Sequence, residues 1–160
     1  MSLLRLLLAV LLLVSAGPVL ASDPFEPLPE SALRQAATRA YLPEELAGFS
    51  GVDPAKPLLM AIRGIVFDVS ESARFYGPGA PYNALIARDV TRAVALMSLD
   101  DEHMTDRCDG LPTEAVERLN AVLRDTYLPK YPISGHLKGG AFYPHGLCCT
   151  GLRCQGCPAD

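Results

Sequence analysis

The sequence lacks a basic surplus. Fourteen lysines and arginines stand against eighteen aspartates and glutamates, a formal net charge of −4 over 160 residues. No excess of cations is available to neutralise a phosphate backbone, which excludes nucleic acid as the expected partner. The chain also lacks the length for more than one domain with a modest appendage. It carries no internal repeat and none of the GxGxxG, P-loop, HExxH or GxSxG signatures of nucleotide, metalloprotease or serine-hydrolase chemistry. After residue 21 no apolar run reaches the roughly 20 residues needed to cross hydrocarbon. Histidine is scarce. His103 lies in an acidic loop, and His136 and His145 flank the tail. All three are read as solvent-facing, and no Ser-His-Asp or Cys-His set can be assembled from them.

What is present begins with Arg5 and the apolar run Leu6–Val14, followed by small residues up to Ala21. These are the three parts of a secretory signal cleaved after Ala21, with retention as an N-terminal anchor the alternative. The mature chain is thereby expected in the secretory lumen or outside the cell, where thiols oxidise. Ser22–Pro29, with Pro24, Pro27 and Pro29, reads as an extended leader, and Ser31–Ala40 as one loose helix capped by Ser31. A compact domain is expected from Tyr41 to about Gly135. Its first helix is short, with Pro43 at the first helical position, acids in the first turn and the poor cap Leu42.

Pro57–Ile62 and Ile65–Ser70 are β-prone runs on either side of Arg63-Gly64, a tight hairpin. Ile65, Phe67 and Val69 share one strand face, and one face is expected to be buried. Asp89 caps a helix carrying Val90, Ala93, Val94 and Met97. Val116, Leu119, Leu123 and Tyr127 mark a second, braced by Glu114 and Arg118. Ser98–Leu111 is polar loop, and no period survives after Gly135. The order points to an α+β domain, a small sheet with helices gathered over it to form a pocket.

Chemistry concentrates in two places. Arg74–Asn83 packs two glycines, two prolines and two tyrosines into ten residues, and Lys130-Tyr131 follows the last helix. A tyrosine phenolate is a hard anionic ligand suited to ferric iron and is a known haem ligand, and a nearby lysine or second tyrosine can support it by hydrogen bonding. Packing of loop tyrosines by their rings is the competing reading.

The blocks Leu58–Ser70, Arg74–Leu85 and Ala87–Arg92 resemble the membrane-associated progesterone receptor family, a branch of the cytochrome b5-like haem/steroid-binding fold. Leu96–Asp100 and Lys130–Ile133 extend the resemblance. It implies a haem cofactor with Tyr82 as axial ligand and sole metal contact, Tyr76 in support, and Lys130 and Tyr131 closing the pocket. Cytochromes b5 proper use two histidines. The corresponding loop here, Gly77-Pro78-Gly79, has none, so bis-histidine ligation is excluded.

The resemblance further implies a secreted binding and signalling protein rather than an enzyme, engaging a cell-surface receptor, with haem as ligand and steroid as a further candidate. A membrane-tethered or lumenal haem/steroid-binding adaptor is the alternative. The tail 136–160 departs from the family. It holds Cys148, Cys149, Cys154 and Cys157, read as disulfides or free thiols ahead of half a zinc site. With Cys108 the count is five, which leaves at least one thiol unpaired or bonded to another chain.

Overall fold

The computed structural model describes residues 24–139. The signal segment, His145 and the four tail cysteines lie outside those residues. The hairpin forms where the sequence marks it, β2 at Leu59–Ile62 and β3 at Ile65–Asp68, antiparallel, with Ile62 opposite Ile65. Arg63 (φ 52°) and Gly64 (φ 72°) both take the left-handed conformation that a two-residue turn needs to match strand twist. Arginine pays a steric penalty there. Two hydrogen bonds hold the turn against it: Arg63 N–H donates to Thr91 Oγ1 at 2.6 Å and Gly64 N–H to Asp89 Oδ2 at 3.0 Å.

Two further strands complete the sheet. β1 (Ala40–Tyr41) runs parallel to β4 (Ile133–Leu137), and β4 pairs antiparallel with β3, giving the order β1-β4-β3-β2. The domain therefore does not stop at Gly135. His136 and Leu137 belong to β4, with His136 Nδ1 2.8 Å from the carbonyl of Ala36.

Both faces of β3 are buried, not one. Ile65, Phe67 and Val69 join Met60 and Ile62 in the larger core, while Val66 lies with Leu59, Ala61, Tyr41, Leu46 and Leu137 in a smaller core. The expectation of one buried face fails because α2 (Pro43–Ala47) and β1 bring Leu46 and Tyr41 over the second face.

The larger core is roofed by α3 (Ala73–Tyr76), α4 (Thr91–Leu96) and α5 (Thr113–Val122). Val90, not Asp89, is the N-cap of α4; Asp89 stands one residue earlier and accepts from Thr91 N–H and Thr91 Oγ1. Val116, Leu119, Leu123 and Tyr127 are all buried. Arg118 donates to the carbonyl of Ala95 at 2.8 Å and so ties α5 to α4.

Residues 24–29 are extended, as expected of the leader, but belong to the compact domain, which the sequence alone places from Tyr41 onward. Phe25 and Leu28 are buried in the larger core. Asn120 Nδ2 donates to the carbonyl of Pro24, and Arg63 Nη1 to that of Glu26, each at 2.8 Å. The prolines hold this strap extended, which lets its two apolar side chains drop into the core while its carbonyls are met from below. Glu30–Ala36 (α1) follows with Pro29, not Ser31, at its N-cap, and Ala32 and Ala36 buried. Fold class and architecture are α+β, a mixed four-stranded sheet with helices over it.

Candidate ligand pocket

The Tyr76–Tyr82 loop is shaped by its backbone. α3 ends at Gly77, whose N–H donates to the carbonyl of Ala73 at 2.7 Å. A Cβ at Gly77 would stand 2.7 Å from that same oxygen, so only glycine lets the chain turn here without displacing the helix. Tyr82 N–H then donates back to the carbonyl of Phe75 at 2.9 Å, and Asn83 Nδ2 to the carbonyl of Tyr76 at 2.9 Å. These bonds clip the loop to α3. The ring of Tyr82 is placed 6.0 Å from that of Tyr76 and 6.5 Å from that of Phe75.

Tyr82 is 44% exposed and stands on the rim of an open cavity of about 330 Å³. Leu85, Val94, Leu99 and Val122 supply its apolar walls, and Tyr76 and Tyr127 reach it from behind. None of the described lining residues carries a formal charge and none is histidine. The volume falls in the range of small-molecule sites.

Tyr127 is the pocket residue that periodicity misassigns to packing alone. Its hydroxyl lies 3.1 Å from that of Tyr76. The residue is carried by a π-helical turn, Leu123–Tyr127, between α5 and the short α6 (Leu128–Lys130). Pro129 is the physical cause of the turn. It has no amide to bond the carbonyl four residues back and clashes with it, so the helix widens.

Tyr131 packs edge-on against Tyr76, centroids 6.2 Å apart, and donates to Ser72 Oγ at 3.2 Å. It stands behind the cavity rather than on its wall. Lys130 is exposed and also off the wall, its ammonium 4.9 Å from the Tyr131 ring centre. The four residues singled out from sequence thus divide into two that line the cavity and two that back it.

Burial sets the protonation order of the inner phenols. Tyr76 is pushed well above the ordinary phenol range, first by burial and then by Tyr127 and Tyr131. Burial also raises Tyr127. At Tyr131 burial acts the same way but is outweighed by hydrogen bonding with Lys130, Ser72 and Tyr76 and by the Lys130 charge, so its phenol ionises more readily than usual. Tyr76 is consequently a proton-holding donor at neutral pH. The set fits two groups: a flat macrocycle whose iron takes a hard oxygen ligand at the rim, or an apolar ring system with an oxygen that accepts from a phenol.

Residues 43–138 match the profile of the family described as cytochrome b5-like heme/steroid binding domain. The chain belongs to this family. A solved structure from Arabidopsis thaliana, described as having a cytochrome b5 like fold, superposes with a TM-score of 0.56 at 32% identity, covering 62% of this chain and 90% of that one. Membrane steroid-binding protein 2 of Oryza sativa subsp. japonica is 52% identical over 68 residues, 42% of this chain and 26% of that protein. Neuferricin of Mus musculus is 34% identical over 109 residues, 68% of this chain and 41% of that protein. The chain spans about a quarter to a third of the length of the membrane steroid-binding proteins it matches. No histidine is among the described residues that line the pocket.

Proposed function

We propose that the chain is a secreted haem-binding signalling protein resembling neudesin, not an enzyme, in which Tyr82 is the ligand to haem iron. The observation that carries this reading is the half-exposed Tyr82 at the mouth of an uncharged, mainly apolar cavity. Haem held through one anionic oxygen would supply a ferric-favouring iron, suited to sensing rather than fast electron transfer.

The residues of the chain do the rest. Tyr76, held protonated by burial, donates toward the rim oxygen. Leu85, Val94, Leu99 and Val122 exclude water from the macrocycle face. Tyr131, behind the cavity, packs against Tyr76 and keeps it in place, with the Lys130 ammonium over the Tyr131 ring. Export through the endoplasmic reticulum to the extracellular space follows from cleavage after Ala21, and a cell-surface receptor is the partner such a factor requires.

The test is titration of the mature chain with ferric haem. A saturable Soret band at one haem per chain is expected, and no change over free haem would overturn the reading. A second reading, a membrane-tethered haem/steroid-binding adaptor, is favoured by relatives named as membrane steroid-binding proteins and as membrane-associated progesterone receptor component 2 of Rattus norvegicus. N-terminal sequencing of chain from conditioned medium separates the two, since a start at Ser22 requires that the apolar leader be removed.

A further inference from the structure

Met97 is the C-cap of α4 and takes the left-handed conformation, φ 53° and ψ 42°. Glycine fills that place in many helices because any side chain there is strained. Here a long thioether occupies it, and Met97 lines the ligand pocket together with Leu99 and Tyr82. Met97 is 70% exposed. Among the described residues the other methionines are protected: Met60 is fully buried, and Met104 is packed against the larger core.

We propose that Met97 is a reversible oxidation site that regulates occupancy of the pocket, a step that rests on the pocket being the ligand site. The oxidant is hydrogen peroxide. The thioether sulfur attacks one peroxide oxygen, the O–O bond breaks as the S–O bond forms, and after proton transfer water leaves. Sulfur loses two electrons and peroxide gains them. The product is a polar, chiral sulfoxide where the free chain has an apolar arm. Its oxygen needs hydrogen-bond partners: the apolar walls Leu85, Val94, Leu99 and Val122 offer none, and of the lining hydroxyls Ser98 is bonded to Asp100 and Tyr76 to Tyr127. Seating an apolar ligand then requires stripping water from the sulfoxide or turning it onto the hydroxyl of Tyr82 or Thr126, which the ligand itself would use. Ligand affinity falls, and a methionine sulfoxide reductase restores it.

The experiment treats the full mature chain with graded hydrogen peroxide, then with dithiothreitol to reset thiols, and maps the added 16 Da by peptide mass spectrometry. Ferric haem and the apolar fluorophore 1-anilinonaphthalene-8-sulfonate are titrated before and after treatment. Met97 is expected to oxidise well before Met104 and Met60, with a loss of about tenfold in affinity for both probes that the reductase reverses. In Met97→Leu, whatever its own affinity, the ratio of treated to untreated affinity is expected to stay at one. Oxidation at Met104 ahead of Met97, or sulfoxide at Met97 with unchanged affinity, overturns the proposal. A chain that binds the fluorophore and not haem defeats the haem reading alone and leaves the gate to be judged on the fluorophore. Binding of neither probe defeats the gate.

Discussion

Asp89 illustrates how one side chain can serve two elements at a cost. Its carboxylate receives Thr91 N–H and Oγ1 on one oxygen and Gly64 N–H on the other, joining the hairpin turn to the start of α4. Burial raises its pKa from 3.8 to about 6 despite those bonds, and Asp106 adds to the rise. A raised folded-state value means that the protonated form is the better fit. Its contribution is full below pH 3.8 and is lost as pH rises through about 6. Relative to Asp89→Asn, the wild-type free energy of unfolding is expected to fall by on the order of 2–3 kcal/mol between pH 4 and pH 7. Urea denaturation at the two pH values checks this, and a constant difference would contradict it. Tyr127→Phe removes the bond to Tyr76 and leaves a buried hydroxyl short of a partner. A loss of about 1 kcal/mol is expected, with the melting temperature down by a few degrees in calorimetry. Residue spacing alone marked Tyr127 as core, correctly for its ring. The hydroxyl contact was illegible because a stripe of apolar positions says nothing about where a phenol ends.

The strap is the element that changes the account of the domain most. Its exposed Arg124–Glu26 pair, at 2.8 Å, is half-exposed on both sides and contributes little. Phe25 carries the attachment, buried and beneath the Arg63 guanidinium at 5.3 Å. Phe25→Ala is expected to lower stability by about 3 kcal/mol, against less than about 1 kcal/mol for Glu26→Gln. Chemical denaturation of the two variants compares them directly, and equal losses would show that the strap is held by charge instead. The same logic separates the legible elements from the others. The β2–β3 hairpin announces itself through alternating apolar residues around Arg63-Gly64. β4 does not, because Ile133-Ser134-Gly135-His136-Leu137 has glycine at its centre and polar neighbours. Its extended form is set by partners distant in sequence, Ala40–Tyr41 on one edge and Ile65–Phe67 on the other. A Cβ at Gly135 would collide with the carbonyl of Arg39 and the Tyr41 ring, which explains the glycine but only once the fold is known.

At the scale of the whole molecule the sheet is a partition. The larger core on one side opens into the tyrosine-lined pocket, and the smaller core on the other closes around Tyr41, Leu46 and Val66. The tight turns and clipped loop belong to the first side, where a ligand has to meet fixed oxygens. Within the candidate site, Tyr76 and Tyr82 were accessible from the loop composition and its family resemblance, whereas the backing position of Lys130 and Tyr131 depends on the π turn that Pro129 imposes. The central claim is that Tyr82, on the rim, and not Tyr131 behind it, is the ligand to iron. The most direct measurement is the visible absorption spectrum of the ferric-haem complex of the mature chain, of Tyr82→Phe and of Tyr131→Phe. The account predicts a high-spin tyrosinate-to-iron charge-transfer band in the wild type and in Tyr131→Phe, and its loss in Tyr82→Phe. A band that survives in Tyr82→Phe and disappears in Tyr131→Phe would contradict it.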